Sequence, residues 1–132
     1  MIPKLPIISS PVTPAEISSA MKRALDHGVR GEFNAAMARQ TSLGYGFLAG
    51  SGIACYYLMM KALKERYGKT EVVLPAYTAG SLVVALRKAG LTPVLCDISL
   101  GDFNADVNEL VNLVSERTLA VTCVHMFGIA MD

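Results

Sequence analysis

Apolar positions along this chain fall into two rhythms, and the change between them outlines the elements. In the first forty-odd residues the pattern is helical. Thr13-Pro-Ala-Glu16 has the form of a capping box with proline at the first helical position, and Ile17, Ala20, Met21 and Ala24 then share one face before Gly28 stops the helix. A second helix is predicted over about Glu32 to Thr41, and Pro3, Pro6 and Pro11 make residues 1–12 an extended lead-in. From residue 44 short continuous apolar runs alternate with helical periods. Tyr45–Leu48 reads as a strand, 52–66 as a helix, Glu71–Leu74 as a strand ended by Pro75, and Gly80–Ala89 as a helix stopped by Gly90. Thr92–Cys96 is the next strand. After a loop at 99–105, Val107, Leu110, Val111 and Val114 mark a helix with Asp106 and Glu109 placed as a capping box, and Leu119–Val124 is a last strand reaching His125.

Strands that are apolar throughout, separated by helices, are buried on both faces. The predicted fold class is therefore α/β, a mainly parallel sheet covered by helices. The expected division is 1–43 as lead-in and helices, and 44–132 as the α/β domain. Open sheets of this kind bind ligands beyond the carboxyl ends of their strands. Here those ends are Gly50-Ser-Gly52, Pro75-Ala-Tyr-Thr78, Asp97 and His125, which together hold nearly all the strand-associated polar residues.

One of these ends has a recognisable chemistry. Gly44-Tyr-Gly-Phe-Leu-Ala-Gly-Ser-Gly-Ile-Ala54 runs from a strand through glycines into a helix. Such a turn leaves the first helical N–H groups unpaired and admits an anion close to the backbone, favoured by roughly 0.3–1 kcal/mol from the helix dipole. A Walker A loop is excluded because no lysine lies between Lys22 and Lys61. A dinucleotide fingerprint fails as well: the third glycine position holds Cys55 counted from Gly50, and Ala49 counted from Gly44. The same glycines also serve a plain αβ scaffold that needs tight packing.

Composition narrows the class further. With 52% hydrophobic and 17% charged residues the chain is a folded globular protein, and 132 residues suffice for one domain's core. A net charge of +1 gives no electrostatic case for nucleic acid or an anionic membrane. Lys61, Lys64, Arg66 and Lys69 read as a solvated helix end. No signal peptide or membrane span is visible, and Cys55, Cys96 and Cys123 read as reduced core thiols, so a cytoplasmic protein is expected.

The strand ends also carry a resemblance. Ser51-Gly-Ile-Ala54, Val73-Leu-Pro-Ala-Tyr-Thr78, Ala89-Gly-Leu-Thr-Pro-Val-Leu-Cys-Asp-Ile98, Arg117-Thr118 and Val124-His-Met-Phe-Gly128 occur in order. From about residue 15 to its last residue the chain resembles the amino-terminal part of a DegT/DnrJ/StrS-type aminotransferase. These are fold-type I pyridoxal-phosphate enzymes, most of which aminate keto sugars attached to nucleotides. The resemblance implies pyridoxal 5′-phosphate as cofactor of the full-length parent, a keto-sugar substrate, an amino-acid donor such as glutamate, and a homo-oligomer. It implies Ser51, Gly52, Ile53, Tyr77, Ala79 and His125 as the cofactor-binding positions.

Two of those positions depart from the family's pattern. Ile53 stands where threonine or serine is usual, which removes a hydroxyl from the phosphate but leaves the backbone donors. Ala79 stands where an aromatic ring usually stacks on the pyridine, and Tyr77 is the neighbour able to replace it. Asp97 reads mainly as a loop or cap residue and His125 mainly as a structural histidine. Asp132 matches the family's acidic residue after the histidine segment, whereas the carboxylate that pairs with the pyridine nitrogen and the lysine that anchors the cofactor come later in the family. None of Lys4, Lys22, Lys61, Lys64, Lys69 or Lys88 sits in that lysine's context. Lysine is the covalent anchor and proton shuttle, and the aspartate keeps the ring an electron sink, so this chain alone is expected to be inactive. A non-enzymatic binding module of the same fold is the alternative, and an unrelated nucleotide-binding domain is a weaker third. In the fold resembled, Tyr45–Leu48 lies across the sheet from the other strands, separated by strands from later sequence. It is expected either to pair differently here or to be buried in an oligomer.

Overall fold

A computed structural model describes residues 12–23 and 28–131. The expected lead-in over residues 1–11, the apolar position Ala24 and the acidic Asp132 lie outside the described residues. The chain divides into two compact units, Met1–Leu48 and Ala49–Asp132.

The first unit holds α1 (Pro14–Arg23) and α2 (Val29–Thr41). The capping box at its start is complete. Glu16 N donates to Thr13 Oγ1 at 3.3 Å, while Thr13 N and Oγ1 donate to Glu16 Oε2 at 2.7 and 2.8 Å. These bonds hold the Glu16 carboxyl below its usual range, the backbone bond most. Helix α2 starts three residues earlier than Glu32 and ends on Ser42, whose backbone is left-handed (φ 55°). Beyond it the chain has no regular secondary structure, and a Cβ on Gly46 would come within 3.1 Å of Asn34 O, so this segment needs glycine to run against α2.

Tyr45–Leu48 is not a strand. Among the described residues nothing pairs with it, and Tyr45 is 95% exposed and Phe47 81%. A β-strand exists only through its ladder partners, so apolar composition alone leaves the segment as coil.

The second unit is the α/β layer structure. Its order is α3 (Gly52–Tyr67), β1 (Glu71–Pro75), α4 (Gly80–Lys88), β2 (Thr92–Cys96), α5 (Val107–Leu113) and β3 (Thr118–Val121), followed by a short 3₁₀ turn at Met126–Gly128. The three strands form a parallel sheet in the order β2-β1-β3. Strand β1 is central and buried, and Val72, Val73 and Leu74 are completely inaccessible. Pro93 lies within β2, which is an edge strand, the one kind of strand that accepts proline without breaking a ladder. Register shifts between Glu71 and Val72, which face Thr118 and Ala120, leaving Leu119 as the extra residue of a bulge. The ladder outlasts β3 by one bond, Thr122 N to Val73 O at 2.8 Å.

Two cores flank the sheet, as the period of two along β1 requires. Val72 and Leu74 join Met60, Leu86, Ala89 and Leu91 beneath α3 and α4. Val73 joins Cys96 and Ala105 on the other face, with Leu110 and Leu113 of α5 packed against them. Of the three thiols only Cys96 is a core residue, and Cys55 and Cys123 are exposed, contrary to expectation. Burial pushes the Cys96 thiol up, helped by the carboxylates of Asp106, Glu109 and Asp97. The basic helix end is also more than solvated charge. Lys64 Nζ donates to Gly90 O at 2.7 Å and ties the end of α3 to the turn before β2.

Candidate functional site

Because the strands are parallel, their carboxyl ends share one edge, and α3 runs back to it. Near its C-terminus α3 touches Gly90, ahead of β2, through Lys64. In its second turn Tyr56 Oη lies 2.7 Å from Thr122 Oγ1, just past β3. The N-terminus of α3 therefore stands at the carboxyl edge, with the glycine turn in front of it.

Ser51 is the N-cap. Its extended backbone (φ −164°, ψ 164°) places Oγ to accept from Ala54 N at 3.2 Å, and Ser51 O accepts from Cys55 N at 3.0 Å. The amides of Gly52 and Ile53 have no partner among the described residues. A Cβ built on Gly50 or Gly52 would meet nothing within 4 Å, so the space before these donors is open. Ile53 also lines a groove of about 720 Å³ between α3 and α4, together with Ala54, Tyr57, Ser81, Val84 and Lys88. Ser81 is in the first turn of α4, so the first turns of α3 and α4 are neighbours on this edge.

The loop after β1 supplies the next side chains. Ala76 N donates to Cys96 O at 2.8 Å, extending the β1–β2 pairing past Pro75. Tyr77 follows, half exposed. Thr78 Oγ1 is buried beside this edge with no hydrogen-bond partner among the described residues. Ala79 is the N-cap of α4 and gives it no side-chain cap.

The sequence reading missed the residue that organises the far side. Asn104 is 1% exposed. Its Nδ2 donates to Asp102 Oδ2 (3.1 Å), Ile129 O (3.3 Å) and Ala130 O (3.3 Å), and its Oδ1 accepts from Met126 N (3.1 Å). This one amide joins the loop after β2 to the loop after β3. The available signal was Asp102-Phe-Asn104, whose Asp102 Oδ1 accepts from Asn104 N at 3.2 Å in a local Asx turn. The side-chain bond from Asn104 lowers the Asp102 carboxyl below its ordinary range. Asp97 closes the base of the same loop through its backbone, where its carbonyl accepts from Asp106 N at 2.9 Å. Asp106 caps α5 through Asn108 N and Glu109 N. His125 Nδ1 accepts from Met131 N at 3.0 Å, which leaves the ring proton on Nε2 and fixes the loop 125–131 upon itself.

Two aromatic rings lie close in sequence to this amide and its partner Met126. Phe103 and Phe127 both have left-handed backbones (φ 63° and 54°). Their rings are 5.6 Å apart edge-to-face, and Tyr77 lies 6.2 Å from Phe103 and 6.5 Å from Phe127. No sequence rule marks a phenylalanine for positive φ, and neither ring was anticipated.

The described residues thus form an α/β layer with unpaired amides at a helix N-terminus on the carboxyl edge of a parallel sheet, donors of a kind that suits an anion. The chain belongs to the DegT/DnrJ/EryC1/StrS aminotransferase family, whose sequence model matches residues 18–132. It is 28% identical over 123 residues to a dTDP-3-amino-3,6-dideoxy-alpha-D-galactopyranose transaminase from Aneurinibacillus thermoaerophilus, covering 89% of this chain and 34% of that protein. It is 30% identical over 101 residues to a GDP-perosamine synthase from Caulobacter vibrioides, covering 76% and 27%. The fold is that of fold-type I pyridoxal-phosphate enzymes. A 3-amino-5-hydroxybenzoic acid synthase superposes with a TM-score of 0.80 at 22% identity, over 95% of this chain and 34% of that one. An E. coli GDP-4-keto-6-deoxy-D-mannose-3-dehydratase with bound hydrated PLP superposes with a TM-score of 0.78 at 22% identity, over 93% and 34%. The chain thus spans about a third of the length of these relatives. Among the described residues no helix is long and apolar enough to cross a membrane.

Proposed function

We propose that this chain is the amino-terminal portion of a pyridoxal-phosphate-dependent aminotransferase, a cytoplasmic homo-oligomer. The intact enzyme would pass an amino group from an amino-acid donor to a keto sugar, nucleotide-linked as the names of its relatives suggest. The observation that carries this reading is the pair of unpartnered amides, Gly52 and Ile53, at the N-terminus of a sixteen-residue helix. The open space before them and the unsatisfied Thr78 Oγ1 fit a phosphate arriving at this edge.

In this reading Gly52 and Ile53 hold the phosphate by their N–H groups, and Ser51, whose Oγ already accepts from Ala54, has its hydroxyl proton to donate. Tyr77 and Ala79 border the ring's place, and His125 keeps the loop 125–131 in position through Nδ1. Pyridoxal phosphate, when bound, supplies the electron sink that amino-group transfer requires. Residues 44–132 would then be a partial cofactor-binding domain and 1–43 its helical lead-in. The covalent anchor and the carboxylate for the pyridine nitrogen belong to sequence following this part in the family, so the chain alone would not transaminate.

A second reading is favoured by Ile53 and Ala79, which remove a hydroxyl and a ring from the expected site: a binding module that kept the fold and lost the chemistry. The reading frame past codon 132 separates the two. A continuation into an aspartate-bearing strand and a lysine supports the enzyme, and a native stop codon supports the module. For the chain itself, added pyridoxal phosphate should give no saturable visible absorbance band that survives dialysis. A stoichiometric, borohydride-trappable adduct at one lysine would overturn the assignment of the anchor to later sequence.

A further inference from the structure

The second unit carries opposite charge on the two faces of its sheet. Helices α3 and α4 cover one face, with Lys61, Lys64 and Arg66 on the first, Arg87 and Lys88 on the second, and Glu65 as their sole acid. Helix α5 covers the other face. Residues 89–116 around it hold Asp97, Asp102, Asp106, Glu109 and Glu116 and no lysine or arginine. Arg117, which follows, is paired with Glu71. Each face also leaves apolar surface uncovered. On α5, Leu110 and Leu113 pack against the core, whereas Val107, Val111 and its C-cap Val114 are 49%, 63% and 50% exposed. On the other face the groove between α3 and α4 is lined by Ile53, Ala54, Tyr57, Val84 and Ala85, with Lys88 at its end. Lys61 stands one turn beyond Tyr57 on α3, and neither lysine has an ion pair among the described residues.

We propose that the groove between α3 and α4 receives α5 of a second copy of this chain, its valines lying in the groove and its acidic surroundings meeting Lys61 and Lys88. Spacings of four and three residues put Val107, Val111 and Val114 on one side of the helix, the pattern of anchors with which a helix fills an apolar groove. At 1.5 Å per residue that row is about 10 Å long, the same as the row from Ser81 to Lys88 that α4 presents to the groove. Charge selects this occupant over another apolar helix, because the α5 face is acidic throughout and the groove ends on cations. The two surfaces lie on opposite faces of one sheet, so the contact is heterologous. Each copy keeps one face free when the other is used, and association continues head to tail. This contact goes beyond the cofactor reading and does not depend on it.

The test is sedimentation of the full chain carrying Phe47→Asp, so that the segment 45–48 does not contribute. Its mass is expected to rise with concentration without reaching a plateau, and to fall when salt is raised to about 0.5 M. Val84→Asp spoils the groove and leaves α5 intact, and Val111→Asp does the reverse. Each variant alone is expected to be monomeric. Mixed, they should form a one-to-one pair that grows no further, joined by the one intact groove and the one intact helix. Lys88→Glu, which leaves the apolar surface alone, should weaken association about fivefold. The proposal is overturned if the Phe47→Asp chain is monomeric at every concentration, or if the two valine variants, folded by circular dichroism, stay apart when mixed. Should either valine variant fail to fold, a mass that ignores both salt and Lys88→Glu overturns it. An oligomer of fixed size that none of these changes disturbs leaves the homo-oligomer of the reading above standing and removes this contact from it.

Discussion

Tyr56 Oη and Thr122 Oγ1 lie 2.7 Å apart although 66 residues separate them in the chain. This contact pins the start of α3 to the end of β3 and so aligns the glycine turn with the carboxyl edge. Burial raises the pKa of the Tyr56 phenol above 10.0, against a smaller opposing pull from Thr122. Tyr56→Phe and Thr122→Val should each cost about 1 kcal/mol in urea denaturation, with the double variant costing less than their sum. The raised folded pKa also sets a sign. Its contribution is fully present below pH 10.0 and is lost as the pH rises past it, because the unfolded tyrosine ionises first. Tyr56→Phe should flatten that alkaline loss.

Asn104 satisfies groups on two loops at once, so its removal leaves Met126 N–H and the Ile129 and Ala130 carbonyls without it. Asn104→Ala is expected to destabilise the second unit by on the order of 3 kcal/mol and to speed hydrogen exchange at Met126. Unchanged exchange there would show that the loop 125–131 is held by other means.

Acid provides an independent check on the same residue. The Asp102 carboxyl is lowered from 3.8 chiefly by the Asn104 side chain, so its contribution to stability is present above pH 3.8 and lost as the pH falls through its lower folded value. In Asn104→Ala the carboxyl should titrate closer to 3.8, read by carbon-detected magnetic resonance. A carboxyl that stays low in the variant would assign the shift elsewhere.

Ile53 offers a gain-of-function test of the turn. Its amide is free but its side chain gives an anion nothing. Ile53→Thr should tighten sulfate or phosphate binding by about tenfold, followed at the Gly52 amide, since a hydrogen bond to a charged group adds about 1.5 kcal/mol at the low end of its range. A crystal grown in sulfate with ordered anions elsewhere and none near Gly52 would count against the turn.

Edges make the last prediction. Among the described residues strands β2 and β3 are the open edges of the sheet, and Tyr45–Leu48 is rich in apolar side chains, exposed and unpaired. Such backbone recruits other strands, so the chain should sediment as an oligomer at micromolar concentration and Phe47→Asp should shift it towards monomer. A monodisperse monomer would show that this segment tolerates water.

The sequence determined what is local. The capping box at Thr13 and Glu16, the helix stop at Gly90, the alternation of apolar strands with helices, and the free amides after Ser51 all depend on residues within a few positions of one another. Strands Glu71–Pro75 and Thr92–Cys96 could be placed from their apolar runs and their bounding turns. Only the tertiary structure decided what depends on distant partners. Tyr45–Leu48 has a strand's composition and no ladder, because hydrogen-bonded pairing is supplied by another segment and not by the strand itself. Cys55 and Cys123 have apolar neighbours in sequence yet face outward, because burial follows the face an element turns to the sheet. Asn104 and the rings of Tyr77, Phe103 and Phe127 meet only when two loops close on one amide, an arrangement that no spacing along the chain encodes.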